Sequence, residues 1–323
     1  MGVITSVASS HVDAPLLAAE GLRVRYDGAL ALDGVDAATR GDRVVLVGDV
    51  GPMVRLLSGT SGAHGARAAI DAGALRLLGE PIGPKGGAGA SRVRGRFGAV
   101  PVDTPFPRGR TLRAYLHAAA TLVTGRWRGA RDRADDVIER LELTSVASVR
   151  LDRMDVTARC VSRIALAVVM GAEAILVHEP LAGLSSDGAE AVLGVLARAV
   201  ATRRALVAMA EVRLETPAAR LLPEATDVLV FRAGRLLLHV PGRDLLDDGR
   251  VYILTTLTEG EALAEALRAH GAEVSGGPLH FALTMPTPGA VAEVLRHAHD
   301  VGAAVITCEP LLGAARGDAV HPL

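Results

Sequence analysis

Two glycines, Gly48 and Gly51, lie in the segment LVGDVGPMVRLLSG, residues 46–59, where an apolar strand is followed by an apolar helix. Strand, glycine loop and helix, in this order, form the arrangement in which backbone N–H groups bind phosphate. The lysine and the Ser/Thr that close such a loop are absent, and Pro52 lacks a backbone donor. The segment therefore predicts the outline of a phosphate loop without the groups that hold the terminal phosphates and magnesium.

The other candidate ligands do not predict a metal site. His178 has no second ligand at the spacing of a metal motif, and Cys160 and Cys308 are far apart in the chain. His297 and His299 are two residues apart on a predicted helix, so they do not share a face. We expect no bound metal and two reduced cysteines, as in a cytoplasmic protein.

Composition bounds the possible functions. The chain has 323 residues, of which 50% are apolar, which suits one large domain and a smaller one. A net charge of −1 and only 2% aromatic residues argue against a nucleic-acid partner. Lys85 is the only lysine, and neither asparagine nor glutamine occurs. Mechanisms that need a loop lysine or an amide side chain on a metal are therefore excluded.

No segment predicts membrane insertion. The longest apolar run, residues 164–177, is too short for a bilayer span and contains Glu173. The first ten residues carry no basic side chain, so we expect no signal peptide.

The order of predicted elements indicates an α/β protein. Residues 1–15 predict a flexible tail, and alternating apolar and polar residues after it predict antiparallel strands. Residues 81–96 predict a glycine-rich surface loop. Strands then alternate with helices, which predicts a mostly parallel sheet covered on both faces. The pattern changes in the last third of the chain, where strands and helices predict a small α+β module of ferredoxin-like order. We place the domains at residues 16–244 and 245–323.

The order of these landmarks resembles the ATP-binding (nucleotide-binding) subunit of an ABC transporter over about residues 16–240. The segment ALDGVDAATRGDRVVLVG, residues 31–48, is similar to the lead-in strands of that family. The resemblance implies a P-loop NTPase-like fold with an N-terminal antiparallel β subdomain. It also implies that Tyr26 stacks on adenine, that Gly48 and Gly51 are loop glycines, and that Glu179 is the catalytic glutamate. The residues from 251 onward resemble the regulatory extension of subunits that work with separate permeases.

Most other diagnostic positions of the family are substituted, which predicts degenerate Walker A, Q-loop, signature, Walker B, D-loop and H-loop motifs. Matched to LLRLLSG of the family, MVRLLSG, residues 53–59, implies the loss of one helical turn with its lysine and Ser/Thr. An ungapped match instead places Met53, Val54 and Arg55 there. The remaining substitutions are Val102 for the Q-loop glutamine, residues 156–160 for the signature, His178 for the Walker B aspartate, Ser185 for the D-loop aspartate and Ala210 for the switch histidine.

The energetic consequence is large. Each lost charge-assisted contact to a triphosphate costs roughly 1.5–3 kcal/mol. Loss of the lysine, hydroxyl, glutamine and aspartate contacts removes on the order of 6 kcal/mol, whereas a micromolar site has only about 8 kcal/mol. Glu179 has a second, structural interpretation, because a carboxylate before Pro180 at a strand end is often solvated or caps a turn.

Three functional hypotheses follow. The first is a non-catalytic ABC-type subunit, without ATP or magnesium, that serves as scaffold or regulatory partner. The second is a divergent but active ABC transporter ATPase that uses both, and the third is a decayed gene product without a selected role.

The first hypothesis predicts protein partners at the cytoplasmic membrane. These are a membrane permease and a second ABC subunit, in a homo- or heterodimer, so the protein would be peripheral to the membrane. The permease would contact residues 102–116, with Phe106 and Tyr115 as aromatic anchors. The alternative for Phe106 is packing on the core.

Overall fold

The computed structural model describes residues 14–60, 67–83, 93, 95–246, 251–285 and 291–312. Most of the predicted tail at residues 1–15 and of the predicted loop at residues 81–96, including Lys85, lies outside these ranges.

A four-stranded antiparallel sheet forms the first layer. Its strands are β1 (Leu17–Tyr26), β2 (Ala29–Ala38), β4 (Ala68–Leu77) and β5 (Glu80–Pro81), in the order β2-β1-β4-β5. The predicted antiparallel β subdomain is confirmed, but β4 was not predicted from the sequence. Four of the ten residues of β4 are alanine and one is glycine, so the strand carries little of the β-branched and aromatic signal.

A six-stranded sheet forms the second layer. It contains β3 (Arg43–Gly48), β6 (Phe97–Val100), β7 (Ala174–His178), β8 (Arg204–Met209), β9 (Asp227–Arg232) and β10 (Arg235–Val240), in the order β10-β9-β3-β8-β7-β6. All neighbouring pairs are parallel except β9 and β10, which form an antiparallel hairpin. The mostly parallel sheet predicted from the sequence is confirmed.

Alternate residues of this sheet belong to two different cores. Val45 and Val47 of β3 pack with the helices on one face, whereas Val44 and Leu46 pack with the antiparallel sheet on the other. Both faces are buried, which explains why β3 and β7 are continuous apolar runs rather than alternating ones.

Five helices flank the sheet: α1 (Gly51–Ser58), α2 (Leu112–Thr124), α3 (Trp127–Arg140), α4 (Val156–Met170) and α5 (Ser186–Val200). Thr111, Asp155 and Ser185 cap α2, α4 and α5, each with a side-chain oxygen that accepts a hydrogen bond from a backbone N–H of the first turn. α1 instead packs on the antiparallel-sheet side, through Met53, Val54, Leu56 and Leu57.

The C-terminal part contains the short helix α6 (Gly242–Leu246), then β11 (Val251–Thr256), α7 (Glu261–Ala269), β12 (Glu273–Gly276), β13 (His280–Thr284), α8 (Val291–Asp300) and β14 (Val305–Pro310). After α6, the element order is β-α-β-β-α-β, and the sheet is antiparallel in the order β12-β13-β11-β14. Phe281 and Leu263 lie in a separate core of this module. The predicted boundary between residues 244 and 245 falls inside α6, and the division into domains stays a prediction.

Among the described residues, no helix is both long and apolar enough to cross a bilayer.

Candidate functional site

The carboxyl ends of β3, β7 and β8 meet at one edge of the parallel sheet. Gly48 is the last residue of β3, and Glu179 directly follows β7. The backbone N–H of Glu179 donates to the carbonyl oxygen of Ala208 in β8 at 2.8 Å. Gly48 and Glu179 therefore lie at the same edge, and open α/β sheets bind ligands at this edge.

The loop after β3 is only two residues long. Asp49 and Val50 separate Gly48 from Gly51, the first residue of α1. The Asp49 N–H donates to the carbonyl of Phe231 at 3.2 Å, and the Val50 N–H donates to the carbonyl of Gly48 at 2.7 Å. These two backbone donors of the loop therefore face protein acceptors rather than an open anion site.

Gly48 and Gly51 differ in why they are glycines. Gly48 has a φ of 99°, and a β-carbon built on it would lie 1.9 Å from the carbonyl oxygen of Phe231. No other residue fits there without displacing backbone. A β-carbon at Gly51 meets nothing within 4 Å, and Gly51 lies in the first turn of α1 rather than in a loop.

A charged cluster that was not predicted from the sequence occupies the same edge. Arg55 of α1 forms an ion pair with Asp103, which lies three residues after β6. Burial raises the pKa of Asp103, but the hydrogen bond and the charge of Arg55 outweigh it, so the pKa is lowered overall. Arg55 is the only basic residue of α1 and Asp103 follows a strand end, which are signals that the sequence does contain.

His178 faces this cluster in its neutral form. Burial, and then the charge of Arg55, lower its pKa to about 4. The backbone N–H of Val102 donates to Nδ1 of His178 at 3.3 Å, which requires that Nδ1 carry no proton. The edge thus holds a neutral imidazole and an ion pair.

The carboxylate of Glu179 caps the end of β8. Its Oε1 accepts a hydrogen bond from the backbone N–H of Ala210 at 2.6 Å. Burial raises the pKa of Glu179, and the charge of Glu211 adds to this increase, against the bond from Ala210. The φ of Glu179 is 51°, a left-handed conformation that is uncommon outside glycine. The turn-capping interpretation therefore describes what this side chain does in the structure.

Comparisons with known proteins fit this architecture. No protein-family model matches the chain. The phosphonates import ATP-binding protein PhnC of Frankia casuarinae is 29% identical over 239 residues, which cover 70% of this chain and 90% of the relative. The structure of CbiO1 from Clostridium perfringens, described as part of the ABC transporter complex CbiONQ, matches with a TM-score of 0.57. That match has 17% sequence identity and covers 72% of this chain and 91% of CbiO1.

The fold is that of an ABC transporter ATP-binding subunit. The 17% identity to CbiO1 supports a shared fold alone. The 29% identity to PhnC is a similarity in sequence.

Within this ABC fold, Tyr26 belongs to the antiparallel sheet. It is the last residue of β1 and pairs with Ala29 and Ala68. Its ring is half-buried against the core that also contains α1. Stacking of Tyr26 on adenine stays a prediction, as do the binding roles of Gly48 and Gly51 and the catalytic role of Glu179.

Residues 156–160, which the resemblance places at the ABC signature, begin α4. The Asp155 carboxylate accepts a hydrogen bond from the backbone N–H of Ala158 at 2.7 Å, so an anionic side chain already caps this helix. A β-carbon on Gly188 of α5 would lie 2.7 Å from Oγ1 of Thr157, so the start of α4 packs closely on α5. Cys160 is buried, and burial raises the pKa of its thiol despite the nearby Arg163.

Phe106 and Tyr115 pack on the main core instead of projecting from it. Both rings are partly buried and meet edge to face, with centroids 6.0 Å apart. The Arg163 guanidinium lies over Phe106, 5.1 Å from the ring centroid. Packing on the core, the alternative considered for Phe106, is what the structure shows.

Two clefts lie away from the sheet edge. One, of about 410 Å³, lies between the start of α4 and α5 and includes Asp155 and Arg198. The other, of about 270 Å³, lies between β10 and β12. Neither is lined by Gly48 or Glu179. In the part of the chain that the structure describes, no three His, Cys, Asp or Glu side chains form a group able to hold a metal ion.

Proposed function

We propose that the chain acts as an ABC transporter ATP-binding-type subunit that does not hydrolyse ATP. It would serve as scaffold or regulatory partner of a membrane permease or of a catalytic ABC subunit. The similarity to PhnC and the fold shared with CbiO1 support the assignment to ABC transport. The description of CbiO1 as part of a transporter complex supports a partner at the cytoplasmic membrane.

The Arg55–Asp103–His178 cluster is the observation that carries the non-catalytic part of the proposal. The resemblance to ABC subunits assigns the magnesium-binding aspartate to the position of His178. A guanidinium near this imidazole repels a divalent cation, and a neutral imidazole is a poor ligand for magnesium, which prefers oxygen. The nearby carboxylate, Asp103, is already paired with Arg55.

Glu179 is poorly arranged to act on a nucleotide. A general base must hold a water beside the phosphate, whereas Oε1 of Glu179 accepts from the Ala210 backbone. The two-residue loop after Gly48 offers no lysine and directs two of its N–H groups to protein carbonyls. The loop that would bind the phosphates and the carboxylate that would activate water are therefore both weakened. We expect neither ATP nor magnesium as a cofactor.

One set of observations favours the alternative, an active but divergent ATPase. The raised pKa of Glu179 suits a general base, and Arg55 is a cation on the helix that follows the glycine loop. In this alternative Arg55 would leave Asp103 and pair with a phosphate group.

Calorimetric titration with ATP, with and without magnesium, tests the proposal. We expect no affinity tighter than the millimolar range and no phosphate release above background. Arg55→Ala should leave this result unchanged, and Arg76→Ala, on an exposed arginine of β4, is the matched control. Micromolar ATP binding would overturn the proposal, and its loss in Arg55→Ala would assign that binding to the helix after the glycine loop. Turnover that Glu179→Gln abolishes would establish the ATPase.

A further inference from the structure

Three arginines converge at the opposite edge of the parallel sheet, where β7 and β8 begin. Nε of Arg133, on α3, donates to the carbonyl of Val169 at 2.7 Å. Nε of Arg203, which directly precedes β8, donates to the carbonyl of Gly171 at 3.1 Å. Both carbonyls belong to the C-terminal end of α4, so these two arginines cap that helix.

Arg140, the third arginine, does not cap α4. Its Nη1 lies 3.8 Å from Oδ2 of Asp136, in an exposed contact one helical turn away. Its Nε and Nη2 are buried and have no hydrogen-bond partner among the described residues, and the same is true of Nη2 of Arg133. The cluster of Arg133, Arg140 and Arg203 therefore keeps buried donors that the described part of the chain does not satisfy.

The charges of the cluster are also unbalanced. Among the described residues, Asp136 is the carboxylate whose charge acts on Arg133 and Arg203, so three guanidinium groups and one carboxylate leave a net charge of about +2. Burial, and then the charges of Arg140 and Arg133, lower the pKa of Arg203 to about 10. Burial and Arg140 likewise lower the pKa of Arg133. The arginines are thus held together at an electrostatic cost.

We propose that Arg133, Arg140 and Arg203 bind a doubly charged oxyanion, a phosphate group in particular. Planar guanidinium groups match the oxygens of phosphate with paired hydrogen bonds, and a dianion would balance the excess charge. The Arg140 side chain is 31% exposed, so the cluster opens to solvent.

This site is distinct from the glycine loop. β8 spans six residues, which separates the two edges of the sheet by about 16 Å. The inference does not rest on the proposed function, because it concerns neither Gly48 nor Glu179. A bound anion would fix α3 against the end of α4, and so the helical layer against the sheet.

Thermal unfolding of the full chain with inorganic phosphate, at constant ionic strength set with sodium chloride, tests this inference. Phosphate should raise the unfolding temperature above the value in chloride alone, because a ligand that binds the folded state stabilises it. Arg140→Ala should weaken phosphate binding about tenfold or more, the loss expected for one charge-assisted paired contact. Arg140→Lys, which keeps the charge without the planar fork, should weaken it less.

Arg220→Ala is the control, because Arg220 forms an exposed ion pair with Glu190 away from the cluster. It should keep the full phosphate response. Arg140 is the last residue of α3 and lies near Asp136, so Arg140→Ala loses two weak favourable contacts while repulsion from the other two arginines is relieved. In phosphate-free buffer the variant should therefore unfold close to the temperature of the original chain. An equal phosphate response in Arg140→Ala, as expected for an anion at the glycine loop, would contradict the proposal. So would a response no larger than that to chloride.

Discussion

At the residue scale, protonation of His178 makes the folding stability of the chain depend on pH. The pKa of His178 is about 4 in the folded chain, against 6.5 when unperturbed. Above pH 6.5 the imidazole is neutral in both states and adds no pH dependence. Below pH 6.5 the unfolded chain binds the proton first, so stability falls as the pH decreases towards 4.

We therefore predict that His178→Gln removes part of the acid sensitivity. From pH 7.5 to pH 5, His178 should cost the original chain up to about 2 kcal/mol of unfolding free energy that the variant does not lose. Urea denaturation of both proteins at the two pH values measures the difference. Parallel pH profiles for the two proteins would show that the imidazole is not held neutral.

Glu179 gives a second prediction at this scale. Glu179→Gln keeps an oxygen that accepts from the Ala210 N–H and removes a charge that burial disfavours, so stability at pH 7 should be unchanged or slightly higher. Glu179→Ala loses the acceptor and should cost about 1 kcal/mol. Chemical denaturation compares the two variants. A Gln variant as unstable as the Ala variant would mean that the negative charge itself is required.

At the element scale, the start of α4 depends on its cap. Asp155→Ala should destabilise the protein by about 1 kcal/mol, because the Ala158 N–H loses its acceptor. Asp155→Asn keeps a capping oxygen and should cost less. Thermal unfolding of the two variants provides the measurement, and equal losses would indicate that charge rather than hydrogen bonding stabilises this end.

The elements also show what the sequence predicts well. Buried parallel strands such as β3 and β7 are continuous apolar runs, a pattern that is visible in the sequence alone. β4 was not predicted because its pairing with β1, rather than its own composition, makes it a strand. The Arg55–Asp103 pair was not predicted because the two residues are 48 positions apart in sequence and only the fold of the sheet edge brings them together.

At the scale of the whole molecule, the resemblance to ABC subunits predicted the fold, whereas side-chain roles depended on contacts. Phe106 and Tyr115 fit a docking surface by their type and position. They lie partly buried on the core, so removing both rings would also lower stability. Residue type alone did not distinguish an interface anchor from a core residue.

Exposed residues of the same turn therefore give a cleaner test of docking. Arg108 and Arg110 are exposed in the stretch proposed to contact a permease. Arg108→Glu with Arg110→Glu should release the protein from membranes that contain its permease, with unfolding changed by less than about 0.5 kcal/mol per site. Sedimentation of native membranes measures the bound fraction.

The matched control for this test reverses two charges on the C-terminal module, Arg268→Glu with Arg296→Glu. Both of these arginines are exposed, and they lie far along the chain from the turn. Release of both double variants from membranes would reflect total charge. Retention of the Arg108→Glu, Arg110→Glu variant on membranes would contradict docking through this turn.

The turn between β9 and β10 is hydrogen-bonded to two other parts of the domain. The Ala233 N–H donates to Oδ2 of Asp49 at 2.7 Å, and the carbonyl of Gly234 accepts from the Asp33 N–H at 2.9 Å. Further along β10, the carbonyl of Leu237 accepts from the hydroxyl of Ser275 in β12. Hairpin tips usually tolerate inserted peptides. Here an insertion between Ala233 and Gly234 would separate the glycine loop from β2, so fluorescent labels and affinity tags belong elsewhere on this chain.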